Sequence, residues 1–474
     1  MLKIKENINT IGISLLVLSY LIITLSTAGS GKTGGSMLIM VFILFIGVFL
    51  YFLKPSLSFI LYLIPIIEPT GSLKYVSVQI LFLLLSFTSV FLKFPTYLRL
   101  IKSDKYLKKM LIASFFFMLY QFIAFADSGG AGIIRNIFSN VRQIFGIWLI
   151  IPAYFFVITD RKNFFLSILI IALITYIYYY ISYLKIYQII DITEANRGME
   201  SDIVRAKTRD FCYVIKIIGY FLPVLFFIRF KPANIRLLML IVSILAYGVL
   251  FTALLRLDTA YTFLGGILCL YFIKKKYGIK IKLSNLLGII FSILVIVIVF
   301  NEQFSNVFNT FSGTFDALNG NTNDSSMTFR KEFELPILGS YILANPIIGI
   351  GYNAVILDSF NKYDFWANDL ALLGAIAIYG FLGISIYLIR FFVLFRSFKL
   401  NIIPKYIYEN YKIETILYYG LVAFFITQLF FKFYLTFAEL LSNETFAEFG
   451  VLFGVYFGLR KFLEIKTLVY NESQ

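Results

Sequence analysis

The stretch DLALLGAIAIYGFLGISIYLI, residues 369–389, is an apolar run whose one charged side chain, Asp369, stands at its beginning. A helix needs about 20 mainly apolar residues to cross the ~30 Å hydrocarbon core of a bilayer, and this run is long enough. Arg390, Arg396 and Lys399 follow it, as basic residues follow the cytoplasmic end of many membrane spans. The stretch therefore predicts a transmembrane helix that begins outside and ends in the cytoplasm.

The same apolar bias runs through the whole 474-residue chain, in which 60% of the residues are hydrophobic and 14% are charged. An ordinary soluble domain is about half apolar and about a quarter charged. A water-soluble fold could not bury that much apolar surface, so lipid is the expected solvent. The sequence predicts one all-α polytopic membrane domain, residues 1–474, that crosses the bilayer about fourteen times. The predicted spans lie near residues 11–28, 37–53, 56–67, 74–92, 110–126, 144–159, 163–184, 212–228, 237–255, 258–273, 283–300, 369–389, 413–431 and 444–459.

Orientation follows from the placement of Lys and Arg, because the cytoplasmic loops of membrane proteins are enriched in both. With the amino terminus inside, and with each charged residue within a span counted at its nearer end, the predicted inner segments carry 27 Lys and Arg against 7 Asp and Glu, a net charge of +20. The predicted outer segments carry 15 against 19, a net charge of −4, and the two together make the +16 of the whole chain. The pattern predicts both termini in the cytoplasm. It also assigns the basic clusters, including Arg390, to anionic lipid rather than to nucleic acid.

The residue types that are missing restrict the chemistry. The chain has no histidine, which removes the commonest general base and the commonest metal ligand. Its two cysteines, Cys212 and Cys269, lie inside apolar runs and are expected to behave as small hydrophobic residues. The sequence therefore predicts no metal site, no cofactor and no disulfide.

Three of the predicted outer loops are long, namely 127–143, 185–211 and 301–368, the last of which follows the eleventh span. Loops of such length are usually functional or disordered. Since no separate soluble domain and no internal repeat accompany them, a functional site is expected in these loops and the adjoining helix ends.

Four arginines lie in or near these outer segments. Arg135 and Arg142 are seven residues apart and would share one helical face, Arg256 stands in a tight turn with Asp258 two residues on, and Arg330 opens a predicted helix in the large loop. Guanidinium groups bind diphosphate through paired, planar hydrogen bonds. A shared diphosphate ligand is one interpretation, and snorkelling of each side chain to the membrane interface is the other.

The segments TFRKEFELPILGSYILANPIIGIGYNAVI (328–356) and FWANDLALLGAIAIYGFLGISIYLI (365–389) resemble the O-antigen polymerase and ligase superfamily. Its members carry an Arg in a large outer loop, then a P-x-x-G-x-G turn, then a polar pair that opens a span ending in G-x-x-G. Here these elements are Arg330, Pro346/Gly349/Gly351, Asn368-Asp369 and Gly380/Gly383. The stretch LLRLDTAYTFL (254–264) resembles a further family turn, with Leu255 in place of the usual Ser, so only Arg256 carries over. The resemblance covers residues 240–390.

The ligases of this superfamily place a His directly before that Asn, where this chain has Ala367, whereas the polymerases (Wzy type) vary there. The resemblance therefore implies a polymerase for O-antigen, capsule or exopolysaccharide in the bacterial plasma membrane. Such enzymes are metal-independent inverting glycosyltransferases that move a glycan from undecaprenyl diphosphate onto the next lipid-linked repeat unit. The resemblance also implies undecaprenyl-diphosphate-linked oligosaccharide as substrate, and a flippase and a chain-length regulator as partner proteins.

On this interpretation Arg256 and Arg330 stabilise the diphosphate leaving group, and Arg135 and Arg142 help to bind it. The attacking sugar hydroxyl needs a carboxylate base within hydrogen-bond reach. Asp369 has the best sequence context for that role, although an Asp at this position is also an ordinary helix cap. The other carboxylates that remain open are Asp258, Glu334, Glu439, Glu444 and Glu448, and Asp258 and Asn368 are further assigned to substrate binding.

A lipid-linked oligosaccharide flippase is the main alternative, and an O-antigen ligase is the second. Transporters commonly show paired halves and charged residues near the bilayer midplane. This chain shows no internal repeat, its charges lie at the ends of spans, and one outer loop is much larger than the rest. These features favour the polymerase, and a non-catalytic membrane scaffold is a more distant alternative.

Overall fold

The computed structural model describes residues 9–19, 21, 34–67, 94–126, 146–183, 218–252, 256–278, 330–352, 354–355, 371–398, 403–431 and 443–472. In this part of the chain every regular element is a helix. The α-helices are α1 (Asn9–Ser19), α2 (Gly34–Leu53), α3 (Pro55–Ile67), α4 (Phe94–Ser103), α5 (Lys105–Ala126), α6 (Ile150–Tyr183), α7 (Leu222–Phe227), α8 (Ala233–Thr252), α9 (Arg256–Tyr277), α10 (Leu335–Ala344), α11 (Ala371–Ser397), α12 (Lys405–Asn410), α13 (Lys412–Ile426) and α14 (Asn443–Glu472). Short 3₁₀ segments precede two of these helices, Gly146–Leu149 before α6 and Gly219–Phe221 before α7. A π-helical turn at Arg330–Glu334 precedes α10, and another at Thr427–Phe431 follows α13.

Four of the described helices are long and apolar enough to cross a membrane, judged by length and composition alone. They are Lys105–Ala124, Ala233–Leu250, Leu372–Ser397 and Lys412–Phe430. These helices coincide with four of the spans predicted from the sequence, so an all-α membrane protein is confirmed at that level. The spans predicted near 74–92 and 283–300 lie outside the described residues, and the total of fourteen stays a prediction.

The boundary predicted between two spans near residues 160–162 coincides with a break within α6. Asp160 has non-helical backbone angles (φ −142°, ψ 41°). Its carboxylate accepts a hydrogen bond from Ser56 Oγ and pairs with Lys54 Nζ at 3.5 Å. The break falls in the charged triplet 160–162, where the sequence predicts that the chain leaves the membrane and enters it again.

The predicted inner segments meet at one end of the helix bundle, called here the basic end. The contacts that join them, besides the pair of Lys54 with Asp160, are Arg161 Nε to Glu414 Oε1 (2.7 Å), Arg460 Nη1 to Asp104 Oδ1 (3.7 Å), Lys461 Nζ to the Ser103 carbonyl (3.3 Å), Lys412 Nζ to the Arg229 carbonyl (3.5 Å) and Tyr277 Oη to the Ile403 carbonyl (3.2 Å). Because each contact joins two segments that the charge pattern places inside, the basic residues far apart in sequence lie on one face of the structure.

Glycines allow close packing between α14 and the first part of α6. A Cβ on Gly454 would lie 2.5 Å from the Ile150 carbonyl oxygen, and one on Gly458 would lie 2.8 Å from Val157 Cβ. Small residues four apart let helix backbones approach in this way within membranes. Since the residue numbers of both helices rise together along the contact, the two helices run parallel. The predicted topology has the same feature, because the spans near 144–159 and 444–459 both run from the outside to the inside.

Candidate functional site

The most unusual backbone in the described part of a membrane span is at Gly380, inside α11. This residue has φ +61° and ψ 178°, and it interrupts the helix. That combination of angles is essentially confined to glycine, because a Cβ would clash with the backbone. The G-x-x-G motif of the sequence is therefore a break in a membrane helix rather than the end of one.

The free backbone groups at the break pair with a turn from the large predicted outer loop. The hydrogen bonds are Ile350 N–H to Ala377 O (2.8 Å), Gly351 N–H to Ile378 O (3.3 Å), Phe381 N–H to Pro346 O (2.9 Å) and Leu382 N–H to Ile347 O (3.0 Å). Lipid cannot hydrogen-bond to an exposed backbone, so a broken helix persists in a membrane only where protein supplies the partners. We call this arrangement of residues 345–351 with residues 377–382 the Gly380 joint.

Local sequence explains why the chain turns here. Asn345 precedes a proline, which disfavours helical backbone, and α10 ends at Ala344. The Asn345 carbonyl accepts the Gly349 N–H at 2.9 Å, and its side-chain Oδ1 lies 3.3 Å from the Ile348 nitrogen. Asn side chains commonly close turns in this way. The P-x-x-G-x-G motif is thus a compact turn with its own internal hydrogen bonds.

The joint requires glycine on both sides. Gly349 has φ +83°, and a Cβ there would lie 2.5 Å from the Ile378 carbonyl carbon and 2.7 Å from the Gly380 nitrogen. A Cβ on Gly380 would lie 2.6 Å from the Gly349 nitrogen and would also overlap the Ile347 carbonyl. The neighbouring atoms are backbone and cannot rotate away. The two glycine motifs that the sequence shows as separate features are one structural unit.

Tyr120 of α5 holds both halves of the joint. Its hydroxyl oxygen lies 2.8 Å from the Ile348 carbonyl oxygen in the turn and 2.8 Å from the Tyr379 carbonyl oxygen in α11. A phenol has one proton to donate, so the two carbonyls share it. The ring fills the space that a Cβ on Gly383 would need. Sequence reasoning missed Tyr120, since one tyrosine among 33 carries no signal of its own.

We expect Tyr120→Phe to loosen the joint while the ring still packs on Gly383. Loss of this buried hydrogen bond should lower stability by about 1 kcal/mol, and the Ile350 and Phe381 amides should exchange hydrogen faster. Tyr180→Phe is the matched control, because the Tyr180 hydroxyl donates to the Leu245 carbonyl (3.0 Å) away from the joint. Unchanged exchange of the two amides in Tyr120→Phe, measured by hydrogen-exchange mass spectrometry, would contradict this role.

A buried polar cluster adjoins the joint along α5 and α11. Arg390 is 1% exposed, and its guanidinium carbon lies 4.8 Å from the Phe117 ring centroid and 4.6 Å from the Tyr387 ring centroid. Gln121 and Tyr379 are fully buried beside it. Rings at these distances stabilise a cation through their π-electron faces. The assignment of Arg390 to anionic lipid was wrong, because it directly follows an apolar run in the sequence but packs inside the bundle.

The segment that leads into the joint begins at Arg330. This residue opens the π-helical turn Arg330–Glu334, which continues into α10 and then into the turn of the joint. Glu334, one of the candidate bases, is 3% exposed at the end of that turn. Arg330 and the two glycine motifs, which the resemblance linked, therefore belong to one continuous packed unit with α11.

Arg256 begins a helix whose main packing partners differ from those of α11. It is the first residue of α9, at the end opposite the Lys274–Lys276 triplet, and Asp258 stands in the same first turn. α9 packs mainly on α13 and on the segment from Gly219 to Phe227, whereas α11 packs mainly on α5 and α10. The main packing partners of α9 thus differ from those of α10 and α11.

The remaining predicted site residues, Arg135, Arg142, Asn368, Asp369 and Glu439, lie outside the described residues. Asn368 and Asp369 are separated from the first residue of α11 by Leu370, and Glu444 and Glu448 stand in the first turns of α14. Within the described ranges, no three or more Asp, Glu, His or Cys residues are grouped so that they could hold a metal ion.

Comparison with protein-family models, with curated proteins and with solved structures finds no match for this chain.

Proposed function

We propose that this chain is a polymerase that joins undecaprenyl-diphosphate-linked oligosaccharide repeat units of O-antigen, capsule or exopolysaccharide at the outer face of the bacterial plasma membrane. The Gly380 joint is the observation that carries the proposal. Two of the motifs that carry the resemblance, Pro346/Gly349/Gly351 and Gly380/Gly383, are 29 residues apart from Gly351 to Gly380, and they pair backbone to backbone. Their pairing in one unit supports a shared role for the elements that carry the resemblance.

In the proposed reaction, a sugar hydroxyl of the acceptor unit attacks the anomeric carbon of the donor glycan. The bond from that carbon to the diphosphate oxygen breaks, undecaprenyl diphosphate leaves with the electron pair, and the configuration inverts.

Arg256 and Arg330 neutralise the charge that develops on the diphosphate, and Arg135 and Arg142 bind it. A carboxylate, for which Asp369 has the best sequence context, accepts the hydroxyl proton and passes it to water. Asn368 and Asp258 contact the sugars in this scheme.

The proposal includes fourteen spans with both termini in the cytoplasm, and a flippase and a chain-length regulator as partners. The contacts at the basic end support the orientation, because a single charged face suits the cytoplasmic side of a bilayer. The reacting loops then lie on the side where a flippase would deliver lipid-linked units.

Reconstitution of the purified chain in liposomes that contain lipid-linked repeat units tests the function directly. We expect a ladder of longer glycans together with released undecaprenyl diphosphate, and the same ladder in the presence of a metal chelator. A flippase would instead move the units across the bilayer without making glycosidic bonds. A ligase would transfer glycan only when a lipid A core acceptor is added. Either of these outcomes, from protein that elutes as a folded species, would contradict the polymerase.

A further inference from the structure

Large apolar side chains project from the turn of the Gly380 joint and from the helix that precedes it. Leu343 is 82% exposed, Ile347 is 65% exposed and Ile348 is 46% exposed. These residues belong to the loop 301–368, which the sequence analysis placed outside the membrane. Exposed apolar side chains at adjoining positions are unusual on a surface that faces water. The segment from Leu335 to Gly351 also contains no charged residue.

The hydrogen bonds of the joint fix how deep the turn lies along α11. The part of α11 that is long and apolar enough to cross a membrane includes Leu372, and Gly380 is eight residues further on (380 − 372). At 1.5 Å per residue, the joint therefore lies about 12 Å inside the span. α10 has 10 residues and rises about 15 Å. It is long enough to connect a turn at that depth with the membrane surface.

The turn pairs with a part of α11 whose side chains are also exposed. Phe381 and Leu382, whose amides bond to the turn, are 56% and 47% exposed. Ile389 and Phe392 lie on the same helical face, seven residues beyond Leu382 and eleven beyond Phe381, and are also exposed. A face of this kind on a membrane-spanning helix contacts lipid, and the turn extends it.

We propose that residues 335–351 form a re-entrant membrane segment, which enters the bilayer as α10, turns at the Gly380 joint and contacts the acyl chains of one leaflet through Leu343, Ile347 and Ile348. The pairing with α11 makes this possible, since it satisfies the turn's backbone groups where lipid cannot. The inference stands on the packing and exposure of this segment and does not depend on the polymerase reaction.

Photolabelling of the unaltered protein in native membranes tests the proposal. An apolar diazirine probe that partitions into the bilayer should label the peptide containing residues 343–348 and the lipid-facing residues of α11 to a similar extent. Peptide mapping by mass spectrometry reads the result. If α11 is labelled and residues 343–348 are not, protein or water covers the turn and the proposal fails.

Cysteine accessibility separates water from lipid around the turn. We expect a membrane-impermeant maleimide to label Glu332→Cys in intact membranes, because Glu332 is exposed and precedes α10. Leu343→Cys and Ile347→Cys should react at least about tenfold more slowly than Glu332→Cys, since a thiol in lipid cannot ionise. Both should react fully after denaturation in detergent. Equal rates at all three positions in intact membranes would overturn the re-entrant segment. Peptide mapping distinguishes these thiols from Cys212 and Cys269.

Discussion

Replacement of Arg256 or Arg330 by alanine should abolish long glycan and leave donor units unjoined on their lipid carrier. Removal of one preorganised donor from a site that stabilises developing negative charge typically costs on the order of 10²–10³ in rate, or about 3–4 kcal/mol. Lysine should not rescue either position, because an ammonium group cannot reproduce the paired hydrogen bonds of a guanidinium. The measurement is the glycan ladder from reconstituted protein, at matched amounts of folded variant.

Arg396→Ala is the matched control for this pair. Arg396 is exposed near the basic end, where its guanidinium carbon lies 4.3 Å from the Phe392 ring centroid. It should retain a normal ladder, since it lies at the opposite end of α11 from the large loop. A normal ladder from both Arg256→Ala and Arg330→Ala would exclude the diphosphate role. Full rescue by lysine would indicate that each arginine snorkels to the interface.

Gly380→Ala should dismantle the joint. The change forces an alanine into a backbone conformation that costs about 1–3 kcal/mol, and it pushes the Ile347 carbonyl away from α11. Backbone hydrogen bonds across the joint would be lost as well, so we expect a destabilisation of about 3 kcal/mol or more. Heating of the detergent-solubilised protein, followed by size-exclusion chromatography, measures the loss.

Gly339→Ala separates this effect from a general cost of replacing glycine. Gly339 lies in α10 close to the joint, and a Cβ there would meet no atom within 4 Å. It should be neutral or slightly stabilising, because alanine favours helix. Gly349→Ala should be about as damaging as Gly380→Ala, since a Cβ on either glycine would clash with the backbone of the opposite segment of the joint. If Gly380→Ala melts like Gly339→Ala, the joint does not carry the stability assigned to it.

The sequence predicted the membrane character and the positions of several helices correctly, for a reason that applies to each span. A helix in lipid must be apolar over about 20 residues, so α5, α8, α11 and α13 are visible in composition alone. The turn at residues 160–162 was equally visible, because three consecutive charged residues cannot lie in hydrocarbon. The motif Pro346/Gly349/Gly351 was also recognised as a turn.

The sequence could not predict what that turn contacts. Proline and glycine indicate that the chain bends. The turn pairs with the break in α11, however, and Gly380 is 29 residues beyond Gly351. The pairing uses backbone hydrogen bonds, which do not depend on the type of the side chain. For the same reason Tyr120 was missed, and the break at Gly380 was not predicted within the span 369–389. Arg390 was misassigned because position after an apolar run does not distinguish an arginine at the surface from one that faces neighbouring rings.

The sequence by itself determined that this protein is helical, that lipid is its solvent and which end of each span is basic, because those properties depend on the transfer of individual side chains between water and hydrocarbon. Only the tertiary structure decided that α11 breaks at Gly380 and that the turn at residues 345–351 supplies hydrogen-bond partners for the backbone at the break. It also decided that the Tyr120 hydroxyl bonds to both segments. These features depend on backbone groups from distant segments that must find partners within the bundle, since lipid offers none.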